Sequence, residues 1–205
     1  MSLCKIEQVG KFYFAGAGLT DNPIVGYRLS KLVEEAFREG NSLTDKINKL
    51  DRLVQSPLSK ALEYLRHDNP KFFKDTFDRG ERVALEVVFA GVVDGIPIIS
   101  LRNFTIERFH PISVSPSHRR NGPGNCPTET QIYYVGWKDA MVNYATMNPG
   151  VWNVGAVPAI SKLLQIQANS TPNEVGGPID ILYLTKDKAQ WIQKKPVCIQ
   201  ISKTK

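Results

Sequence analysis

Residues Phe14-Ala15-Gly16-Ala17-Gly18-Leu19-Thr20-Asp21 join an apolar run to a G-x-G turn, a pattern that lets backbone approach a dinucleotide pyrophosphate. The third small residue of that fingerprint is missing, because Asp21 stands in its place. No acidic residue closes a second parallel strand further on, so Gly16 and Gly18 are read as a tight turn or a close backbone approach, with no cofactor expected. His110, His118 and Cys126 are the other residues that could gather around a metal. They lack the i, i+4 helical pairing of a ligand set, and a structural or solvent-facing role is the preferred reading, with no metal expected. Neither a G-x-S-x-G elbow nor an H-E-x-x-H helix is present.

The frame around these residues is that of one folded domain over 1–205. The chain has 205 residues, 42% of them apolar and 22% charged, enough to bury one core. No apolar run reaches the roughly 18–20 residues that span a bilayer, and MSLCKIEQVGK has no apolar leader, so a cytoplasmic protein is expected. Cys4, Cys126 and Cys198 are odd in number and widely spaced, which argues against a disulfide framework or a zinc site. The net charge of +6 is concentrated in part at Arg119, Arg120 and the C-terminal lysines. Such a balance suits a solvated surface; no recognition helix or aromatic signature accompanies it, so nucleic acid is not the expected partner.

The hydrophobic pattern orders the elements. Residues 11–17 form a strand entering a tight turn. Three helices follow: Leu29, Leu32, Val33 and Phe37 share one face; a second helix opens at Ser42 or Thr44 and aligns Ile47, Leu50 and Val54; a third starts with Ser56 as N-cap and Pro57 at its first position. Pro70 ends the third, and Phe72, Phe73 and Phe77 are expected to pack beneath the next turn. Residues 82–93 and 96–106 flank Asp94-Gly95, a strong hairpin signal. Residues 109–130 are expected to be a long polar loop. A strand at 131–136, helices at 138–146 and around 157–166, and strands at 179–185, 189–193 and 197–202 complete the order. Two blocks of helices set between antiparallel hairpins predict two facing sheets with a helix layer outside each.

Several segments together resemble the proteasome β-type branch of the N-terminal-nucleophile (Ntn) hydrolases. Cys4-Lys5-Ile6 followed by Phe12–Gly18 is similar to that family's lysine, strand and Ala-Gly turn. Residues 82–106 are similar to its central hairpin, Ile132-Tyr133-Tyr134-Val135-Gly136 to the strand before its third helix, and Gly176-Gly177-Pro178-Ile179-Asp180-Ile181 with Asp187 and Trp191 to its Gly-Gly turn and last hairpin. The resemblance implies a four-layer αββα sandwich of the α+β class and hydrolysis of peptide or amide bonds. It also implies self-association into oligomers or rings. Within it, Lys5 matches the lysine that lowers the nucleophile's pKa, and Gly18 matches the glycine whose N–H holds the oxyanion.

Other parts of the family pattern are absent. The nucleophile strand should precede Lys5, where only Met1-Ser2-Leu3-Cys4 stand, and Trp137-Lys138-Asp139 replaces the family's Ser-Gly-Ser. Ser2 and Cys4 lie one to three residues from Lys5, too close to face it across a sheet. The expectation is a chain without the first strands of the fold, either a truncated hydrolase or a non-catalytic relative. The rival expectation is a binding module that meets an anionic partner through a basic loop at His118, Arg119 and Arg120.

Overall fold

A computed structural model describes residues 6–38, 42–78, 80, 82–121, 138–171, 180–185 and 187–194. The chain divides into two compact units, one of residues 6–130 and one of residues 131–205 with residues 1–5, and has mixed α and β structure.

The first unit is built on a five-stranded sheet of spatial order β1 (Glu7–Val9), β2 (Phe12–Gly18), β5 (Val83–Val93), β6 (Ile96–Phe109), β7 (Ile112–Asn121). Every pairing in it is antiparallel. Between β2 and β5 run a small ribbon, β3 (Asp21–Asn22) with β4 (Tyr27–Arg28), and then helices α1 (Leu29–Arg38), α2 (Leu43–Asp68) and the short α3 (Pro70–Phe73).

Strand register divides the sheet into two faces, since directly paired residues point the same way. One face carries Phe12, Phe14, Val87, Phe89, Phe104 and Ile106, all buried, and packs against the helices. Phe37 of α1 stacks on Phe89 at 5.2 Å between ring centroids and meets Phe12 edge-on at 5.7 Å. Gly91 faces Phe12, and a methyl group there would come within 2.4 Å of the ring.

Helix α2 begins as its sequence indicates. Ser42 accepts a hydrogen bond from the Asp45 N–H at 3.1 Å and donates to the Asp45 carboxylate at 2.7 Å. It then continues through Pro57 as a single helix, where the Ser56-Pro57 pair predicts a new start. An interior proline costs about 3 kcal/mol. The buried residues Ile47, Leu50, Val54, Leu58, Ala61 and Leu62 keep the helical spacing across Pro57, and this shared apolar stripe outweighs the lost hydrogen bond. Asn69 then ends α2, and Pro70 opens α3 in place of a turn. Phe73 and Phe77 are buried as expected, whereas Phe72 is exposed.

The hairpin at Asp94-Gly95 forms as predicted, with both residues at positive φ (51° and 76°), the two-residue turn that matches strand twist. The polar stretch after Phe109 does not form the expected loop: residues 112–121 are strand β7, paired with β6 from Phe109↔Ile112 to Ile99↔Asn121. Two causes are visible. Ile112 and Val114 are buried in alternation, and Pro116 is tolerated because β7 is an edge strand among the described residues. Glu63 of α2 also accepts the Ile112 N–H at 2.7 Å, and Arg66 donates to the Phe109 carbonyl while pairing with Glu63, so the helix anchors both ends of the connection.

In the second unit, α4 (Asp139–Met147) leads through a 3-10 turn (Pro149–Val154) into α5 (Ala156–Ser170). Buried Gln167 of α5 accepts the Ala140 and Met141 N–H groups at 3.0 and 3.3 Å, capping a helix whose own N-cap, Lys138, offers no acceptor. Of the apolar residues of α5, Leu163 is buried and Ile160 is exposed. Strands β8 (Ile181–Leu184) and β9 (Ala189–Gln193) form an antiparallel hairpin closed by Thr185 and Lys188. The strands expected at 131–136 and 197–202, and the Gly176-Gly177-Pro178 turn, lie outside the described residues.

Candidate functional site at the end of strand β2

Gly18 is the last residue of β2 and sits at φ 90°, a conformation that favours glycine. A Cβ there would lie 2.5 Å from the Ala84 carbonyl oxygen, so the close approach to β5 excludes any side chain. The next amide, Leu19 N–H, donates to Ala84 O at 2.9 Å. The chain then turns into the β3–β4 ribbon, and α1 starts only at Leu29, whose N–H donates to Thr20 O at 2.9 Å. The G-x-G segment therefore does not open directly onto a helix N-terminus, the geometry a pyrophosphate cradle needs.

The ribbon makes a rigid wall beside this turn. The Tyr27 hydroxyl donates to the Leu19 carbonyl at 3.0 Å, and its ring is 1% exposed. Burial, helped by the nearby Asp21 charge, pushes the Tyr27 phenol up and keeps it neutral. Asp21 and Arg28 pair across the ribbon at 3.5 Å. Asn22 accepts from the Ile24 and Val25 N–H groups at 3.2 and 3.4 Å, closing the 3-10 turn at its tip. Gly16, two residues upstream, admits Leu29: a Cβ on it would come within 2.7 Å of that side chain.

On the sheet face opposite the helices, the row next to Gly18 is Ala17, Glu86, Asn103 and Ser117, each paired with the next. Its neighbours are small or apolar: Ala15, Val88 and Leu101. Among the described residues, the Asn103 carboxamide oxygen is buried without a hydrogen-bond partner. Such an atom costs roughly 1–3 kcal/mol and marks a place where a donor is wanted. The arrangement can place a backbone turn, an amide oxygen and a carboxylate around one region of this face. No sequence motif announces Glu86 or Asn103; only the register of three strands aligns them with Ala17.

The other expected residues fall elsewhere. Lys5, with Ser2 and Cys4, lies outside the described residues, as does Cys126. His110 stands at the β6–β7 turn, its Nδ1 3.0 Å from Arg66; arginine only donates, so Nδ1 accepts. His118, Arg119 and Arg120 are not in a loop but on β7, paired with Arg102, Leu101 and Ser100. Among the described residues, no group of three His, Cys, Asp or Glu side chains could hold a metal ion, and no helix is long and apolar enough to cross a membrane.

No known family model matches the chain, and no curated protein is significantly similar to it.

Proposed function

We propose that the chain carries the scaffold of a proteasome-β-like Ntn hydrolase, a four-layer αββα domain. The observation that carries this reading is the first unit itself. An antiparallel sheet of order β1-β2-β5-β6-β7 is covered on one face by two helices, and β2 ends in an obligatory glycine turn beside a polar row on the other face. The two helices and the hairpin of the second unit supply elements for a second half.

In this reading Lys5 and Gly18 correspond to the residues that, in an intact hydrolase of this kind, tune the nucleophile and stabilise an oxyanion during attack on a peptide or amide bond. Ser2 and Cys4, within three residues of Lys5, do not serve as that nucleophile, and the scaffold self-associates.

Two measurements test this. A crystal structure of the chain should show two facing sheets with α1–α2 and α4–α5 on the outer sides; one sheet with all helices on one side overturns the architecture. Fluorogenic peptide amides should stay uncleaved and a peptide vinyl sulfone should label nothing, while light scattering reports oligomers. Labelling at Ser2 or Cys4 overturns their exclusion as nucleophile, and a stable monomer overturns the assembly role.

A further inference from the structure

The β5–β6 hairpin reaches past the strand beside it. Strand β2 starts at Phe12, paired with Gly91, and β5 runs on beyond that pair through Val92 and Val93 to the Asp94-Gly95 turn. Over this stretch the register sets Ala90 against Ile99 and Val92 against Pro97 on the face turned away from the helices. An outward face of an antiparallel sheet ordinarily carries polar side chains. Here all four are apolar: Pro97 is exposed, Ile99 is 45% exposed, and Ala90 and Val92 are half-buried.

Two exposed charges flank this patch. Lys11 directly precedes Phe12 on the β2 side, with its ammonium 5.6 Å from the Phe12 ring centroid, and Asp94 stands in the turn at the tip. Among the described residues neither forms an ion pair. We propose that this end of the hairpin is where two copies of the chain dock on each other about a two-fold axis.

Two patches that face each other are related by an axis lying in their common plane. An axis of that kind running between Lys11 and Asp94 exchanges their positions, so Lys11 of each copy meets Asp94 of the other. The apolar centre of Ile99, Pro97, Ala90 and Val92 then loses water between two charged rims. Opposite charges at the rim also fix the register, because a shifted arrangement sets like charges together. A patch of four side chains is small, so the dimer is weak and concentration-dependent, with a Kd on the order of 10 μM. This contact supplies the self-association proposed above and rests on that part of the reading, independent of any hydrolase ancestry.

Sedimentation velocity of the full chain, from about 2 to about 200 μM, tests this. The unsubstituted chain should pass from monomer to dimer across that range, less readily as salt is raised. Ile99→Asp, at an exposed position outside the core, should weaken dimerisation at least about tenfold while thermal unfolding of the monomer stays unchanged. Asp94→Asn removes the charge yet suits the positive φ of the turn; it and Lys11→Gln should each weaken the dimer roughly threefold. Carbodiimide cross-linking of a mixture of isotope-labelled and unlabelled chains reads the geometry without any variant, and should join Lys11 of one copy to Asp94 of the other. Oligomers that survive Ile99→Asp unchanged, or inter-chain cross-links that omit Lys11–Asp94, overturn this surface and leave self-association standing. A monomer at every concentration overturns both.

Discussion

The two faces of the five-stranded sheet use the same backbone for opposite ends. Toward the helices the strands present Phe12, Phe14, Val87, Phe89, Phe104 and Ile106, closed by α1 and α2 into one continuous core. This side also buries an ion pair: Arg102 of β6 lies 3.5 Å from Asp51 of α2, both almost fully buried. The other face presents Ala15, Ala17, Ala90 and Val88 beside Glu86, Asn103, Thr105 and Ser115. There a buried amide oxygen has no partner among the described residues. A face organised for stability fills its volume and sets its buried charges in opposite pairs. A face that leaves small side chains beside an unsatisfied amide gives up stability, as functional surfaces do.

Truncating the covered face should cost most. Phe89→Ala removes a ring that contacts both Phe14 and Phe37, and urea unfolding should show a loss of roughly 3–5 kcal/mol. A loss below about 1 kcal/mol would mean that this face is not the core of the unit. Asp51→Leu, which strands the Arg102 guanidinium inside, should cost roughly 3–5 kcal/mol, and adding Arg102→Met should recover most of it. If the double variant is no more stable than the single, the ion pair is doing something other than cancelling its own burial.

At the boundary between the faces, Gly18→Ala meets both the positive φ and the Ala84 carbonyl, and thermal unfolding should report a loss of roughly 1–3 kcal/mol. Asn103→Leu sharpens the contrast because its sign is reversed. Replacing an unsatisfied amide by a side chain of similar volume should raise stability by about 1 kcal/mol. A loss of stability there would show that the Asn103 oxygen has a structural partner, and the second face would then resemble the first.

Much of the first unit is legible locally. The Ser42 cap, the Asp94-Gly95 turn and the apolar spacing of α1 are properties of neighbouring residues, and all three appear where they are expected. The errors share a cause. Pro57 and residues 112–121 look like breaks because proline and polar residues disfavour regular structure on their own. In the fold, Pro57 lies within a stripe buried against the sheet, and β7 is recruited by Glu63, Arg66 and the free edge of β6. The candidate site was half visible: Gly18 stands out as a glycine ending an apolar run, whereas Glu86 and Asn103 are unremarkable until three strands pair.

By itself, then, the sequence determined where α2 starts, where the central hairpin turns and which side chains are apolar enough to be buried. These follow from interactions spanning a few residues. Tertiary structure decided that α2 is one helix, that β7 is a strand, and that Glu86 and Asn103 align with Ala17. Each of those depends on residues far apart in the chain, whose packing free energy exceeds the local preferences that oppose it.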